Sequence, residues 1–222
     1  MAREDFDPSE ASRESFRAAK LAGLSAGYSP ALHLVGETAA YLAVAVIALA
    51  ALDDWLLRDL WAAPAAFVIA NVFEWSLHKY VMHEPRPPRF IYEAHTQTHH
   101  RIYRHHDMPL RTWRELPFVL FGARTLLGVI AMALVNAGAV WWLFGRNAGL
   151  VFLAAEAAYV LLYELLHLSF HLPPPHRVWR WRIIRWLGGR HARHHDPRLM
   201  RRRNFNVTFP LADAVFRTSA PD

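Results

Sequence analysis

Residues 125–145 read TLLGVIAMALVNAGAVWWLFG and contain no charged side chain. A helix requires about 20 mainly apolar residues to cross the hydrocarbon core of a bilayer. This stretch has that length without interruption, so it predicts a transmembrane helix and indicates an integral membrane protein.

Three further stretches, 34–52, 60–77 and 148–170, have similar lengths and are apolar apart from a few polar and acidic residues. Charged groups inside a bilayer are costly, so each of these stretches is a weaker indication when it is considered alone. Short polar connections at 53–59 and 146–147 join the stretches in pairs. We therefore predict an all-α integral membrane protein with four transmembrane helices arranged as two hairpins.

The distribution of arginine predicts the orientation of these helices. Segments 84–124 and 172–222 carry most of the basic residues, and arginine-rich loops normally remain in the cytoplasm. We therefore assign the net charge of +6 to membrane topology rather than to nucleic-acid binding. Residues 1–20 mix both charges around no apolar core, unlike a signal peptide. We expect both termini on the cytoplasmic side of a bacterial inner membrane.

The chain has 222 residues, which is enough for a single domain. We divide it into an N-terminal cytosolic segment (1–31), a first hairpin (32–83), a cytosolic histidine-rich segment (84–124), a second hairpin (125–171) and a C-terminal cytosolic cap (172–222). There is no cysteine, which excludes disulfides, thiolate zinc sites and iron–sulfur clusters. Any bound metal must therefore have nitrogen or oxygen ligands.

Histidine is concentrated at one predicted face of the membrane. All but one of the 14 histidines fall within residues 78–106 or 167–195. Each of these windows begins at the cytosolic end of a predicted helix and continues into the polar segment that follows, so we expect a helical cytosolic cap to carry them. Ten of these histidines form our candidate metal-binding set: His78, His83, His95, His99, His100, His167, His171, His191, His194 and His195.

The spacing of these histidines suggests how they are grouped. Three pairs are four residues apart: His95/His99, His167/His171 and His191/His195. Residues four apart lie on one face of a helix, so each pair can direct two imidazoles to one place. Neighbouring histidines diverge around a helix, so one ring of each adjacent pair can serve a different metal. The five-residue step from His78 to His83 requires a helix end or a local distortion, which we place at the membrane boundary.

Ten imidazoles without cysteine favour iron, copper, zinc or nickel over calcium or magnesium, and ten ligands suit two ions better than one. Any single pair could also be a membrane-interface pair without a ligand role; the four groups together make the signal specific.

His105 and His106 could be ligands, neighbours of ligands or loop residues, and we favour the loop. His33 and His176 have no partner at ligand spacing, so we do not expect them to bind metal.

Two acidic residues inside predicted helices stand close to candidate ligands. Glu74 lies one turn before His78, and Glu164 lies three residues before His167. Each carboxylate could accept the free ring N–H of a ligand histidine and fix its orientation. The alternative is a hydrogen bond between helices. The role of Glu156 stays open.

The histidine motifs resemble those of the fatty acid hydroxylase and sterol desaturase superfamily of membrane di-iron oxygenases. The matching motifs are His78-Lys-Tyr-Val-Met-His83, His95-Thr-Gln-Thr-His99-His100, His167-Leu-Ser-Phe-His171 and His191-Ala-Arg-His194-His195. The resemblance covers residues 74–218, which is most of the chain.

The tail of the chain also resembles this superfamily, with two departures. The last histidine group is commonly followed there by Asn-Phe-Gly and then by Asp…Phe-Gly-Thr. Asn204, Phe205, Asp213, Phe216 and Thr218 match this pattern. The two glycines are replaced by Asn206 and Arg217, which puts the conformation of the tail loop in question rather than the histidine site.

The resemblance implies two iron ions bound by the ten histidines, with zinc able to replace iron in recombinant protein. It also implies O2 as a co-substrate and oxidation of a C–H bond in a lipid or sterol that enters from the bilayer. Because the chain has no flavin, cytochrome or ferredoxin motif, a separate electron-donor protein is expected. No nucleic-acid partner is expected, and the sequence does not indicate an oligomeric state.

Hydroxylation of a fatty acyl or related lipid is our first hypothesis. A sterol or lipid desaturase, or a carotenoid hydroxylase, would use the same centre, and ligand spacing does not decide among these reactions. A hypothesis of another class is a non-catalytic membrane protein that binds or transports metal. Such a protein should place ligands along a path near the middle of the bilayer, whereas these histidines gather at one boundary.

Overall fold

The computed structural model describes residues 9–221. Within that range the fold is helical and contains no β-strand. The α-helices are α1 (Glu10–Ala22), α2 (Pro30–Ala50), α3 (Ala62–Leu77), α4 (Arg89–Tyr92), α5 (His100–Ile102), α6 (Ala123–Phe144), α7 (Arg146–Phe170), α8 (Arg182–His194) and α9 (Leu211–Val215). Three 3-10 helices cover Leu57–Trp61, Trp113–Phe118 and Arg177–Arg180, and two π-helical segments cover His78–Met82 and Glu93–His99.

Among residues 9–221, four helical stretches are long and apolar enough to cross a membrane, as the sequence predicts. They are Pro30–Ala50, Leu57–Met82, Ala123–Phe144 and Arg146–Phe170. The second is longer than predicted because a 3-10 helix directly precedes α3 and the π-helical segment directly continues it. Large apolar side chains point outward from these helices; Trp142 of α6, for example, is 84% exposed. Such a surface suits lipid rather than water, so the chain is a membrane protein.

Helix α7 is the central helix of the bundle and packs against α2, α3 and α6. It approaches α6 closely at Gly149, where a Cβ atom would lie 2.6 Å from the Cβ of Trp141. The turn before α7 contains Gly145 at a φ of 97°, a conformation that glycine adopts without strain. The predicted arrangement as two hairpins is not confirmed, because α2 packs mainly on α7 rather than on α3.

The two short connections between spans lie at the same end of the bundle. The side chain of Asn147 accepts a hydrogen bond from the backbone N–H of Asp53 at 3.3 Å and donates one to its carbonyl at 2.6 Å. Both windows of histidines therefore lie at the opposite end, together with the longer polar segments.

Helix α1 belongs to the cap over that end. Arg13 and Arg17 of α1 are buried, and both guanidinium groups donate to the carbonyl of Ile102. Arg13 also pairs with Asp107 at 2.9 Å, and Arg17 pairs with Glu115 at 3.5 Å. Because a buried charge is costly unless it is paired, these contacts hold α1 against the segment that carries the first histidine window.

Candidate metal centre

The structure brings all ten candidate histidines into two groups of five. The first group consists of His78, His83, His95, His100 and His194, and the second of His99, His167, His171, His191 and His195. One ring nitrogen from each member lies within 4.8 Å of those of the other members of its group. All ten side chains are buried. The groups adjoin each other, since the rings of His100 and His195 stack with centroids 4.1 Å apart.

The step from His78 to His83 is accommodated by the π-helical segment His78–Met82. A π-helix forms hydrogen bonds between residues five apart, so positions five apart return to nearly the same face. The two rings stack with centroids 5.1 Å apart. The local distortion that the sequence predicts is therefore present, and it lies at the end of the second membrane span.

A second π-helical segment, Glu93–His99, changes the predicted grouping. His95 shares the first group with His100, and their Nε2 atoms are 3.1 Å apart, whereas His99 belongs to the second group. The prediction that His95 and His99 point to one place is wrong, because it assumed the pitch of an α-helix. The adjacent residues His99 and His100 do diverge into different groups, as expected.

Helices α7 and α8 follow the α-helical expectation. His167 and His171 at the end of α7 share the second group, and so do His191 and His195 at the end of α8. His194 belongs instead to the first group. The end of α8 therefore supplies side chains to both groups.

The outer nitrogens of five rings are held by main-chain carbonyl groups. His99 contacts Phe118 and His171 contacts Met108, each at 2.7 Å; His195 contacts Tyr103 at 2.8 Å, His194 contacts Arg203 at 2.9 Å, and His78 contacts Phe205. A carbonyl oxygen only accepts, so the Nδ1 atom of each of these rings must donate. The Nδ1 atom of His83 is 3.1 Å from the Thr96 hydroxyl, which itself donates to the carbonyl of Met82.

These contacts leave lone pairs facing each other inside the groups. The Nε2 atoms of His83 and His194 are 2.9 Å apart, and those of His99 and His195 are 3.2 Å apart. Neutral rings that donate through Nδ1 have no proton to place between these atoms. Two nitrogens bound about 2.1 Å from one metal ion at right angles lie about 3 Å apart. The nitrogen set, its spacing and its protonation therefore fit a bound cation.

Burial keeps these rings neutral and available as ligands. Removal from water lowers the pKa of the His171 and His194 rings to about 4. Burial, reinforced by neighbouring imidazoles, lowers the pKa of His83 and of His195 well below the ordinary value. A neutral imidazole presents a lone pair to a metal, whereas a protonated one does not.

The two acidic residues near the ligands do not have the predicted contacts. Glu74 accepts hydrogen bonds from the amides of Val207 and Thr208 and from the hydroxyls of Thr208 and Tyr159. The ring nitrogen of His78 that we assigned to Glu74 bonds to a carbonyl of the C-terminal segment instead. Glu74 therefore fixes the C-terminal segment at Val207, two residues after the Phe205 carbonyl, and does not hydrogen-bond to the His78 ring.

Glu164 likewise turns away from His167. Its Oε2 atom accepts from the amide of Phe121 at 3.1 Å, which ties α7 to the segment before α6. The predicted contact of this carboxylate with a ligand histidine is therefore wrong. Intrahelical spacing identified the neighbours of the ligands but not the direction of these carboxylates.

Asp213, to which the sequence alone assigns no role, organises the loop behind the first group. Asp213 is fully buried and accepts from the amides of Phe205 and Asn206, each at 3.0 Å, and from the hydroxyl of Thr218 at 2.6 Å. It thereby positions the Phe205 carbonyl that contacts His78. The tail motif that contains Asp213 is visible in the sequence, but the sequence does not show which groups this carboxylate contacts.

The remaining histidines lie outside both groups. His105 and His106 are exposed loop residues whose rings contact each other, as we favoured. His33 contacts Glu37 at 3.2 Å, and His176 accepts from the amide of Val178 at the start of a 3-10 helix.

In the part of the chain that the structure describes, a cavity and a cleft reach the histidine groups. A cavity of about 300 Å³ is lined by His95, His99 and His167. A mainly apolar cleft between α3, α6 and α7 reaches His78 from within the membrane span. Met82 and Tyr163 line both openings, so the cleft and the cavity adjoin.

A family model described as fatty acid hydroxylase matches residues 63–218. The matched region contains all ten grouped histidines and extends through Thr218. Neither the curated proteins nor the solved structures that were compared with the chain gave a match.

Proposed function

Because the chain belongs to the fatty acid hydroxylase family, we propose that it is a membrane oxygenase that hydroxylates a C–H bond of a fatty acyl or related lipid. The proposed cofactor is a pair of iron ions bound by the ten grouped histidines. The proposed location is a bacterial inner membrane, with the histidines on the cytoplasmic side.

The observation that carries this proposal is the pair of buried five-imidazole groups whose inner lone pairs face each other. Imidazole sets suit several transition metals, and membership of the family favours iron among them. When bound, the iron pair would supply the activation of O2, which consumes one O2, two electrons and two protons for each alcohol and water formed. The electrons would come from a separate donor protein.

The chain's own residues would position the ligands and exclude water. Main-chain carbonyls hold five of the rings in one tautomer, so that the Nε2 atom of each of these five faces inward. Burial of all ten rings keeps solvent away from the centre. The apolar cleft would admit a lipid chain laterally from the bilayer and present one of its carbons near His78.

The test combines metal analysis with lipid analysis. The purified protein should contain two iron ions per chain, and cells that express it should accumulate a lipid with one added oxygen derived from labelled O2. Substituting His194→Ala or His99→Ala should abolish the product and lower the metal content. Exposed His105→Ala is the matched control and should change neither quantity.

Three other results would each replace the proposal. A product that has lost two hydrogens would identify a desaturase. Bound metal without any oxidised lipid would indicate a non-catalytic metal protein. Activity that survives His194→Ala and His99→Ala would show that the histidine groups are not the reaction centre.

A further inference from the structure

The membrane cleft contains a buried carboxyl group that neither the metal site nor the helix packing fully uses. Glu156 of α7 is only 5% exposed, and its Oε1 atom accepts from the Asn136 amide at 2.9 Å. Its Oε2 atom is buried and has no hydrogen-bond partner. Both Glu156 and Asn136 line the cleft between α3, α6 and α7. An ionisable group inside a membrane span normally has a polar partner or a function.

The position of Glu156 defines a distance from the histidines. Glu156 precedes His167 by 11 residues on the continuous helix α7, which corresponds to about 16 Å at the rise of an α-helix. It lies near the middle of that span, whereas His167 lies near its end. The cleft extends from Glu156 to His78, a member of the first histidine group, and it adjoins the cavity lined by His167.

We propose that Glu156, held by Asn136, binds a hydroxyl group at one end of the lipid chain whose other end reaches the histidine centre. The proposal rests on the proposed function and names its substrate class: a lipid with a hydrogen-bond donor about 16 Å from the oxidised carbon. The hydroxyl would donate to the unpartnered Oε2 atom. A plain alkyl end would leave that atom without a partner, which is costly in a buried site.

The surroundings favour a neutral hydroxyl over an ammonium group. Beyond this pair, the neighbouring cleft walls are formed by apolar side chains such as Val129, Met132 and Ala133. An ammonium has three N–H groups to satisfy. Val129, Met132 and Ala133 offer no acceptor, and Glu74 and Tyr159, two polar side chains further along the cleft, already hydrogen-bond to each other. A hydroxyl has one proton to donate, and one free oxygen is what Glu156 provides.

The simpler role of Glu156 is to tie α6 to α7 through Asn136. That bond uses only one of the two carboxyl oxygens, so it does not account for the second. The two roles differ in what they predict for ligand binding, since a helix tie affects stability but not a preference for a hydroxylated chain.

The experiment compares two probes, 12-hydroxydodecanoic acid and dodecanoic acid, whose extended chains roughly match the separation. Their dissociation constants are measured on the purified metal-bound protein in lipid nanodiscs, without a reductant. We expect the wild type to bind the hydroxylated acid about five- to ten-fold more tightly, as one buried hydrogen bond would give. Glu156→Leu should reduce this ratio to about one, and Glu156→Gln should retain part of it through its carbonyl oxygen.

Glu37→Leu is the matched control, since it removes another buried carboxyl group within a span, and its preference should stay at the wild-type ratio. Equal binding of both probes by the wild type would overturn the proposal. A preference that is preserved in Glu156→Leu would also overturn the proposal. If that variant melted at a lower temperature but kept the preference, Glu156 would act only as a tie between α6 and α7. The ratio of dissociation constants is measured without turnover, so it can be interpreted even if no lipid is oxidised. A wild-type preference for the hydroxylated acid without any oxidised product would refute the proposed reaction but not the proposed role of Glu156.

Discussion

At the residue scale, the orientation of the histidine rings depends on the main chain more than on acidic side chains. Five of the ten rings contact backbone carbonyl groups through Nδ1. The sequence showed the ring types and their spacing, so the membership of the ten-residue cluster was predictable. The sequence did not show which loop carbonyl groups lie next to the rings. For that reason Glu74 and Glu164 were wrongly predicted to contact His78 and His167.

Asp213 offers a test of this indirect control. Asp213→Ala removes the acceptor for the amides of Phe205 and Asn206 and for Thr218, and leaves Arg190 without the partner that Asp213 provides at 3.4 Å. Loss of such a buried network should lower stability by about 3 kcal/mol. We also expect the first histidine group to lose metal more readily than the second.

The measurement is the iron content of Asp213→Ala during a titration with a chelator, together with its melting temperature. Asp53→Ala, in the exposed connection at the opposite end of the bundle, is the control and should release iron as the wild type does. Unchanged chelator sensitivity in Asp213→Ala would show that the Phe205 carbonyl does not depend on this carboxylate.

Arg217 tests a departure from the tail pattern of the family. It has a φ of 56°, in the left-handed region where glycine is free of Cβ strain. Arg217→Gly should therefore stabilise the protein by about 0.5–1 kcal/mol, observed as a higher melting temperature. The control is Arg202→Gly, at an exposed arginine of the same segment whose φ is not positive; it should not raise the melting temperature. An equal rise in both variants would show that the φ of Arg217 is not the cause.

At the element scale, the two π-helical segments decide which histidines share a group. Each provides a five-residue repeat, from His78 to His83 and from His95 to His100. Both intervals are visible in the sequence, but we interpreted only the first as a distortion because His99 stood at the α-helical spacing from His95. The four spans were predictable because bilayer thickness sets their length, whereas the local pitch of a helix is set by the contacts around it.

The contact between α6 and α7 supports a prediction with an internal control. Gly149→Ala would place a Cβ atom 2.6 Å from Trp141 Cβ and 2.8 Å from the carbonyl oxygen of Ala137. The helices must separate to accept it, so we expect a loss of about 1–3 kcal/mol. Gly138→Ala meets nothing within 4 Å and should be neutral or slightly stabilising through helix propensity.

Thermal unfolding of both variants in the same detergent checks this expectation. A melting temperature that falls for Gly149→Ala and holds or rises for Gly138→Ala would support close packing of α7. The opposite order would mean that α6 does not approach α7 at this position. It would also contradict the central place of α7, whose C-terminal end positions His167 and His171.

At the scale of the whole molecule, polar contacts join the cap to the membrane bundle. Asn71 of α3 donates to the carbonyl of Phe209 at 2.8 Å and accepts from the amide of Ala212 at 2.9 Å. Arg13 and Arg17 fasten the N-terminal helix at the same end of the bundle. Segments that are distant in sequence therefore pack together around the histidines. Residue patterns indicate only local structure, so the sequence did not predict this packing.

The orientation of that cap in the membrane can be tested because the natural chain has no cysteine. A single introduced thiol is then the only one available to a membrane-impermeant maleimide. Asp54 and Arg202 are both exposed, the first in a short connection and the second in the segment behind the histidine groups. Arginine-rich segments remain on the cytoplasmic side, so in intact bacterial cells with a permeable outer membrane Asp54→Cys should react, whereas Arg202→Cys should react only after lysis. Labelling in the reverse order would place the histidines on the periplasmic side, away from cytoplasmic electron donors, and would remove the proposed route of reduction.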